Sequence, residues 1–519
     1  MRRGSLGGMP TPVVQAAEHT RIAILGAGFG GLGMAIRLLE TGRHDFTIFE
    51  KAGGFGGTWR DNTYPGCACD IASHLYSFSF EQDPGWSRTY APQPEILRYL
   101  ERTAAKHRLD ERVRFNTEIV RLDWDDAGRR WTLTAADGST FTADVVVAAV
   151  GGLHVPRVPE IPGLDRFAGP AFHSARWRHD VDLAGRRVAV IGTGASAIQI
   201  IPAIAPAVAK LLVFQRTPPW VLPRHDRPVS GWARWAFEKI PGAQRLWRAL
   251  LYLESEAIAL GFTVWPWLLG HWQRQSLSLL ARHVRDPALR EALTPSYTMG
   301  CKRVLLSDDY YPALVRDNVE VSTAPIHEIR EHAIATADGV ERPVDVIVLA
   351  TGFRTFNPAT EIDIRGHGGR RLADDWAAGP EAYNGLLVAG YPNLFMLMGP
   401  NSGLGHNSIV FMLEAQVRYV LACLGLLESG RLPVVEVREE VQRAFNETLR
   451  RRFHRTVWEA AGTGARRPCS TWYRDPAGRL SALWPGFSAS YWWRLRRAHP
   501  RDFVAASTAA SRTMGDSHR

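Results

Sequence analysis

Residues 21–50 read RIAILGAGFGGLGMAIRLLETGRHDFTIFE. Ile22 to Leu25 is a short apolar run suited to a buried strand. It meets the turn Gly26-Ala27-Gly28-Phe29-Gly30-Gly31, after which Leu32, Ile36, Leu38 and Leu39 recur at helical spacing as far as Gly42. Phe46 to Phe49 then returns to strand character, which completes a βαβ opening. Glycines let the backbone pass close to a pyrophosphate, and the start of the helix offers it unpaired N–H groups and a partial positive charge. Such a turn alone is a weak signal. Glu50 strengthens it: the acid ends the second strand 19 residues past Gly31, where a carboxylate accepts from both ribose hydroxyls and repels a 2′-phosphate. Gly26, Gly28, Gly31 and Glu50 are therefore expected to hold the unphosphorylated adenosine of FAD or NAD.

The same grammar recurs further on. Val188 to Ile191 reads as a strand, Gly192-Thr193-Gly194-Ala195-Ser196-Ala197 as its turn, Ile198 to Ile204 as the helix and Leu211 to Phe214 as the next strand. Here the second strand ends in Gln215-Arg216-Thr217 rather than an acid. A cation there suits a 2′-phosphate, so this second site is expected to prefer NADPH.

The expected fold is α/β, with two Rossmann-like dinucleotide-binding domains and a helical insertion. Residues 20–154 with 383–503 would form a discontinuous FAD-binding domain, and 155–382 the NADP-binding domain, with Pro156, Pro159 and Pro162 marking the linker between them. The insertion spans about 225–296, where Trp232, Trp235, Trp247, Trp265, Trp267 and Trp272 alternate with arginines. It reads either as a cover over a cavity or as an aromatic packing layer. Residues 1–19 and 504–519 read as disordered tails.

Composition bounds the rest. The chain has 519 residues, 45% hydrophobic and 22% charged, with room for two or three buried cores. The net charge of +10 is nearly all arginine and is scattered along the chain, which reads as a solvated surface and argues against nucleic acid. Five cysteines (Cys67, Cys69, Cys301, Cys423 and Cys469) show neither zinc spacing nor a dithiol Cys-x-x-Cys, which suits a reducing cytoplasm. The N-terminus carries two arginines with no apolar segment after them, so no signal peptide is expected. The most apolar stretch, 257–270, is too short to span a bilayer. A cytoplasmic protein without a membrane span is the expectation.

Residues 56–70, Gly-Gly-Thr-Trp-Arg-Asp-Asn-Thr-Tyr-Pro-Gly-Cys-Ala-Cys-Asp, resemble the long signature of the Baeyer–Villiger flavin monooxygenases, the class B flavoprotein monooxygenases. Phe167-Ala168-Gly169-Pro170-Ala171-Phe172-His173-Ser174-Ala175-Arg176-Trp177 resembles their shorter fingerprint, with Arg178 where the pattern usually has Pro or Asp. Segments around Gln93-Pro94-Glu95, Cys301-Lys302-Arg303, Ala350-Thr351-Gly352, Gly399 to Asn407 and Ser470 to Tyr473 continue the likeness in order.

The resemblance implies roles by position. Glu50, Thr58, Trp59, Asp70, Tyr76 and Ile119 would line FAD. Gly192, Thr193, Gly194, Ser196 and Gln199 would hold NADPH, with Arg216, Thr217, Lys302, Arg303 and Trp472. His173 would couple domain movement to cofactor binding without doing chemistry. The reaction would convert a small apolar ketone to an ester or lactone with O₂ through a C4a-peroxyflavin. Arg303 would be the fixed cation beside the reacting oxygen, and Asp70 the carboxylate that orients it. Asn407 and Ser408 open a late helix, as an ordinary N-cap or with its positive end toward the flavin. Cys67 and Cys69 read as packing residues. Rival readings are a flavin monooxygenase acting on sulfur or nitrogen, a reductase without oxygen chemistry, and a nucleotide-binding scaffold without turnover.

Overall fold

The computed structural model describes residues 17–355, 362–460 and 471–505. Strand β1 (Glu18–Leu25) lies inside the larger sheet, pairing in parallel with β2 (Phe46–Phe49) and β6 (Thr140–Ala148), so that Ile22 sits beside both Phe46 and Val145. Both of its faces are covered. Ile22 and Ile24 share a buried cluster with Leu32, Ile36, Val410 and Leu413, while Ala23 and Leu25 share another with Phe49, Leu133 and Val146. A strand packed on both faces needs an unbroken apolar run rather than alternation, which is how residues 22–25 read. Helix α1 (Phe29–Glu40) crosses from β1 to β2.

Strands β3 (Val113–Arg114), β4 (Ile119–Asp125) and β5 (Arg130–Ala135) complete the first half, with short helix α2 (Thr58–Asp61) and helix α3 (Gln93–Lys106) between β2 and β3. With β17 (Asp363–Arg365) and β18 (Leu394–Met396) from later in the chain, the sheet order is β17-β4-β5-β6-β1-β2-β3, with β18 beside β6. β6 is long enough to serve two partners: Thr140 to Ala143 pair antiparallel with β5, and Val146 to Ala148 pair parallel with β18 (Leu394–Met396).

The second sheet is parallel throughout, in the order β12-β9-β8-β16-β7. It joins β7 (Ala171–His173), β8 (Arg187–Ile191), β9 (Lys210–Phe214), β12 (Val319–Ser322) and β16 (Val346–Leu349), with α4 (Ala197–Ile204) crossing from β8 to β9. A three-stranded antiparallel sheet, β13 (Ile326–Ile329), β14 (Ala333–Thr336) and β15 (Glu341–Pro343), packs on one face through Ile329 and Ile334. The insertion contains α5 (Gly231–Lys239), α6 (Ala243–Thr263), α7 (Leu269–His283) and α8 (Pro287–Ala292). A parallel pair, β10 (Val221–Leu222) with β11 (Leu305–Leu306), closes its two ends together.

Several expectations need correction. The first strand begins at Glu18, inside the expected tail, because Glu18 to Thr20 continue the pairing with β6. Val504 also lies in an expected tail, yet its N–H donates to the Glu436 carbonyl at 2.9 Å. Residues 1–16 and 506–519 lie outside the described residues. Strand β17 (Asp363–Arg365) pairs with β4, so the larger sheet recruits chain from Asp363 rather than from 383. The packing-layer reading of the insertion fails as well: only Trp272 of its six named tryptophans packs against the core, and the other five are exposed. Finally, 257–270 is not the most apolar segment. The Ile409–Glu428 helix has mean hydropathy 1.7 and, among the described residues, is the one helix long and apolar enough to cross a membrane; 61% of it is buried in the fold, largely against α1.

Candidate functional site

At the end of β1 the chain turns through Gly26, whose φ is +105° and whose N–H donates to the Phe49 carbonyl at 2.8 Å. A Cβ on Gly31 would lie 1.8 Å from the Gly26 carbonyl oxygen, so only glycine lets α1 start this close to the turn. Gly28 faces Gly57 with 3.7 Å between a Cβ at Gly28 and the Gly57 Cα, which leaves a groove walled by backbone.

Glu50 is buried at this groove. Its carboxylate accepts from the Ala27 N–H at 2.8 Å and the Ala52 N–H at 2.9 Å, and Arg60 lies 3.2 Å away. Thr117 donates to the Glu50 carbonyl at 2.9 Å, which brings Ile119 next to the same strand end. Thr58 is exposed at the start of α2, and Trp59 donates from Nε1 to the Tyr76 hydroxyl at 3.2 Å with the rings edge to face. Gly26, Gly28, Gly31, Glu50, Thr58, Trp59, Tyr76 and Ile119 thus gather at or beside the ends of β1, β2 and β4. A backbone cradle with one buried acid fits an adenosine pyrophosphate whose ribose hydroxyls are free.

The second cradle repeats the construction. Gly192 has φ +113°, donates to the Phe214 carbonyl at 3.0 Å, and would place a Cβ 2.4 Å from the Ala350 carbonyl oxygen. Thr193 Oγ1 donates to the Thr217 carbonyl at 3.3 Å, tying the turn to the end of β9, while Gly194 is open and Ser196 stands at the start of α4. Arg216 is exposed there. Lys302 is half-buried, 5.1 Å from the Tyr297 ring centre, and its pKa is lowered by burial and then by the charge of Arg216. Two cations close enough to repel, neither in a salt bridge among the described residues, fit an anion between them. Trp472 is exposed, its ring edge to face with Tyr473 at 4.6 Å. Ser470 lies outside the described residues.

Gln199 does something other than expected. Its Oε1 accepts from the Tyr64 hydroxyl at 3.1 Å and its Nε2 donates to the Ala68 carbonyl at 3.0 Å, so this amide clasps the first unit rather than facing an open cofactor groove. Gly66, at φ +80°, makes the clasp possible, since a Cβ there would lie 2.6 Å from the Gln199 carbonyl oxygen.

That clasped loop ends in Asp70, which meets Arg303. The Arg303 Nε donates to Asp70 Oδ2 at 2.7 Å, and the two side chains are 27% and 28% exposed. Burial alone would raise the Asp70 carboxyl, but the charge and hydrogen bond of Arg303 outweigh it and hold the pKa below the usual range. Asp70 in turn raises Arg303, so the guanidinium is charged at any working pH. Neither terminal nitrogen of Arg303 bonds to a described residue. Arg303 is positioned from below: Leu305 donates to the Trp220 carbonyl and Trp220 Nε1 to the Tyr297 carbonyl, both at 2.9 Å.

His173 accepts the Ala175 N–H on Nδ1 at 3.1 Å, so its proton is on Nε2, which donates to the Gly352 carbonyl at 2.9 Å. Burial lowers its pKa and keeps it neutral. It ties the fingerprint strand to the Ala350–Gly352 turn and touches no reacting group. Ser408 caps the late helix by accepting from the Val410 N–H at 3.3 Å, whereas Asn407 donates to Glu256 at 2.9 Å. Cys67, Cys69 and Cys423 are free and buried, with burial pushing the Cys67 thiol up to about 11.

Sequence reading missed Arg60 beside Glu50, Tyr64 in the clasp, Glu256, and Arg224, which donates to the Cys69 carbonyl at 2.9 Å. Glu256 alone had a readable signal, as an acid within the apolar run of α6.

Residues 19–234 match the flavin-binding monooxygenase-like family. A Baeyer-Villiger monooxygenase of Pseudomonas aeruginosa is 49% identical over 499 residues, covering 96% of this chain and 92% of the relative. Another, from Streptomyces coelicolor, is 46% identical over 484 residues, covering 93% and 92%. A crystal structure of OTEMO in complex with FAD and NADP superposes with a TM-score of 0.81 at 28% identity, covering 92% of this chain and 97% of that one. Two glycine cradles, one guarded by an acid and the other by paired cations, together with these similarities over nearly the whole length, place the chain in the Baeyer–Villiger monooxygenase family of flavin-binding monooxygenases.

Proposed function

We propose that this enzyme oxidises a small apolar ketone to an ester or lactone, with FAD as resident cofactor, NADPH as reductant and O₂ as oxidant. Bound FAD would supply the redox chemistry that links NADPH oxidation to O₂. The first cradle, Gly26 to Gly31 with the start of α1, would hold the FAD pyrophosphate, and Glu50 would accept from its ribose. Thr58, Trp59, Tyr76 and Ile119 shape the rest of that site. The second cradle, Gly192 to Ser196, would hold NADPH, with Arg216, Lys302, Thr217 and Trp472 as the residues for its 2′-phosphate end. On this reading the larger sheet carries the flavin and the parallel sheet the nicotinamide cofactor.

Arg303 supplies the electrostatics. Negative charge builds on the ketone oxygen as the carbonyl is attacked, and a preset cation lowers the cost of that charge without reorganising. Asp70 accepts the hydrogen bond from Nε, and neither terminal nitrogen bonds to a described residue. The observation that carries the proposal is this one contact: a permanently charged guanidinium anchored through Nε on Asp70. Dependence on NADPH supports a cytoplasmic location.

The test is product analysis with cyclohexanone and a sulfide, each under ¹⁸O₂ with NADPH. The expected outcome is lactone carrying one labelled oxygen atom. Sulfoxide formed while every ketone is recovered unchanged would transfer the chain to heteroatom oxygenation.

A further inference from the structure

Helix α6 (Ala243–Thr263) is amphipathic in the wrong direction for a surface helix. Gln244, Arg248 and Glu256 face inward, while Arg245 and Glu254 are exposed. Gln244 donates to the Asp83 carbonyl at 2.7 Å, and Arg248 Nη1 reaches the carbonyls of His74, Leu75 and Ser77 at 2.8–3.1 Å. Glu256 is buried and accepts from Asn407 at 2.9 Å and from the Ser488 N–H at 3.1 Å. The apolar stripe is on the other side. Leu246, Leu250 and Leu253, at helical spacing, are 64%, 50% and 61% exposed, and Val264, just past the helix end, is 48% exposed. A helix that turns Gln244, Arg248 and Glu256 into the fold and leaves three leucines outward is built to be covered by something apolar.

The flanks of the stripe narrow down what covers it. Trp232 and Trp235 project from α5, Trp247 from α6, and Trp265 and Trp267 from the turn after it, with Trp232 and Trp267 each more than 70% exposed. Lys239, Arg245 and Arg274 are exposed on the same helices, outnumbering the exposed acids Glu238 and Glu254, and among the described residues these three cations form no salt bridge. A second copy of the chain on a two-fold axis would set this patch against itself and bring its cations together. An anionic lipid surface instead takes leucines into the acyl boundary, tryptophans at headgroup level and lysine and arginine against the phosphates.

The geometry points to the outer face of the insertion as a docking surface for an anionic membrane, with α6 lying in the interface plane. It spans nothing. This inference stands on α5 to α7 alone and is independent of the reaction.

Full-length holoenzyme is floated with vesicles of phosphatidylcholine, and of phosphatidylcholine doped with phosphatidylglycerol. The expected result is co-flotation with the anionic vesicles, weakened by salt, with tryptophan emission quenched by brominated lipid. Lys239→Glu and Arg245→Glu each weaken partitioning at least roughly fivefold, the worth of about one cation at a charged surface. Leu246→Ser with Leu253→Ser abolishes it while flavin content is unchanged. Should the serine variant fold poorly, the charge variants, altered only at exposed side chains, decide alone. Wild-type enzyme that stays with the buffer overturns the proposal. So does binding that ignores both sets of variants, or a dimer that buries this face and leaves vesicles untouched.

Discussion

Removing Arg216 should cost NADPH and spare NADH. Arg216 is exposed at the end of β9 and Lys302 half-buried opposite it, both without a carboxylate partner among the described residues. A hydrogen bond to a charged group contributes about 1.5–3 kcal/mol. Solvent screens the exposed arginine, so Arg216→Ala belongs at the lower end, about 1.5 kcal/mol or roughly tenfold in kcat/KM for NADPH. The more sheltered lysine belongs at the upper end, so Lys302→Ala loses about 100-fold. NADH has no 2′-phosphate to lose, and its kcat/KM should stay within about twofold. The assay is anaerobic flavin reduction, titrated separately with each nucleotide in the wild type and both variants. Equal losses on NADPH and NADH would show that the pair supports the fold and does not read the phosphate.

Gly31→Ala puts a Cβ 1.8 Å from the Gly26 carbonyl oxygen, so α1 must shift off the turn; the purified variant should be nearly colourless, and normal flavin content would contradict the cradle. Glu256→Ala strips the acceptor from Asn407, Ser488 N–H and Ser488 hydroxyl; about 3 kcal/mol of stability should go in denaturant unfolding. His367 bridges Glu436, at 2.9 Å, and Asp126; the Glu436 hydrogen bond and then Asp126 outweigh partial burial and raise its pKa from 6.5 to about 9. Raised in the folded state, it stabilises the fold fully below pH 6.5, and that contribution fades as pH climbs through about 9. With a 41% exposed ring the effect is screened to about 1 kcal/mol. His367→Ala should therefore be less stable than wild type near pH 6 and equal to it near pH 10, and an equal deficit at both would contradict the assignment.

What sequence made legible follows from local chemistry. Residues 22–25 and 188–191 are strands buried on both faces, and such strands announce themselves as unbroken apolar runs. The turns demand glycine for steric reasons that act within a few residues. Glu50 and Arg216 sit at the ends of strands, so their opposite charges could be read against one template. The remainder depends on distant partners. Asp363–Arg365 carries two charges in three residues and becomes a strand only because β4 offers it an edge. The Tyr64–Gln199 clasp joins residues 135 apart, and nothing near Gln199 signals it. Helix α6 has ordinary amphipathic spacing, and only its neighbours reveal that the apolar side is the outer one. The Asp70–Arg303 pair spans 233 positions and became legible through family resemblance, not through pattern.

The central claim is that Arg303, held by Asp70, directs activated oxygen onto the ketone. The decisive measurement is the division of consumed NADPH between ester or lactone and hydrogen peroxide in wild type and Arg303→Ala, with flavin content and the rate of flavin reduction as controls. The account predicts that the variant still binds flavin and oxidises NADPH but delivers its oxygen as hydrogen peroxide with almost no ester. Undiminished ester formation per NADPH in Arg303→Ala would contradict it.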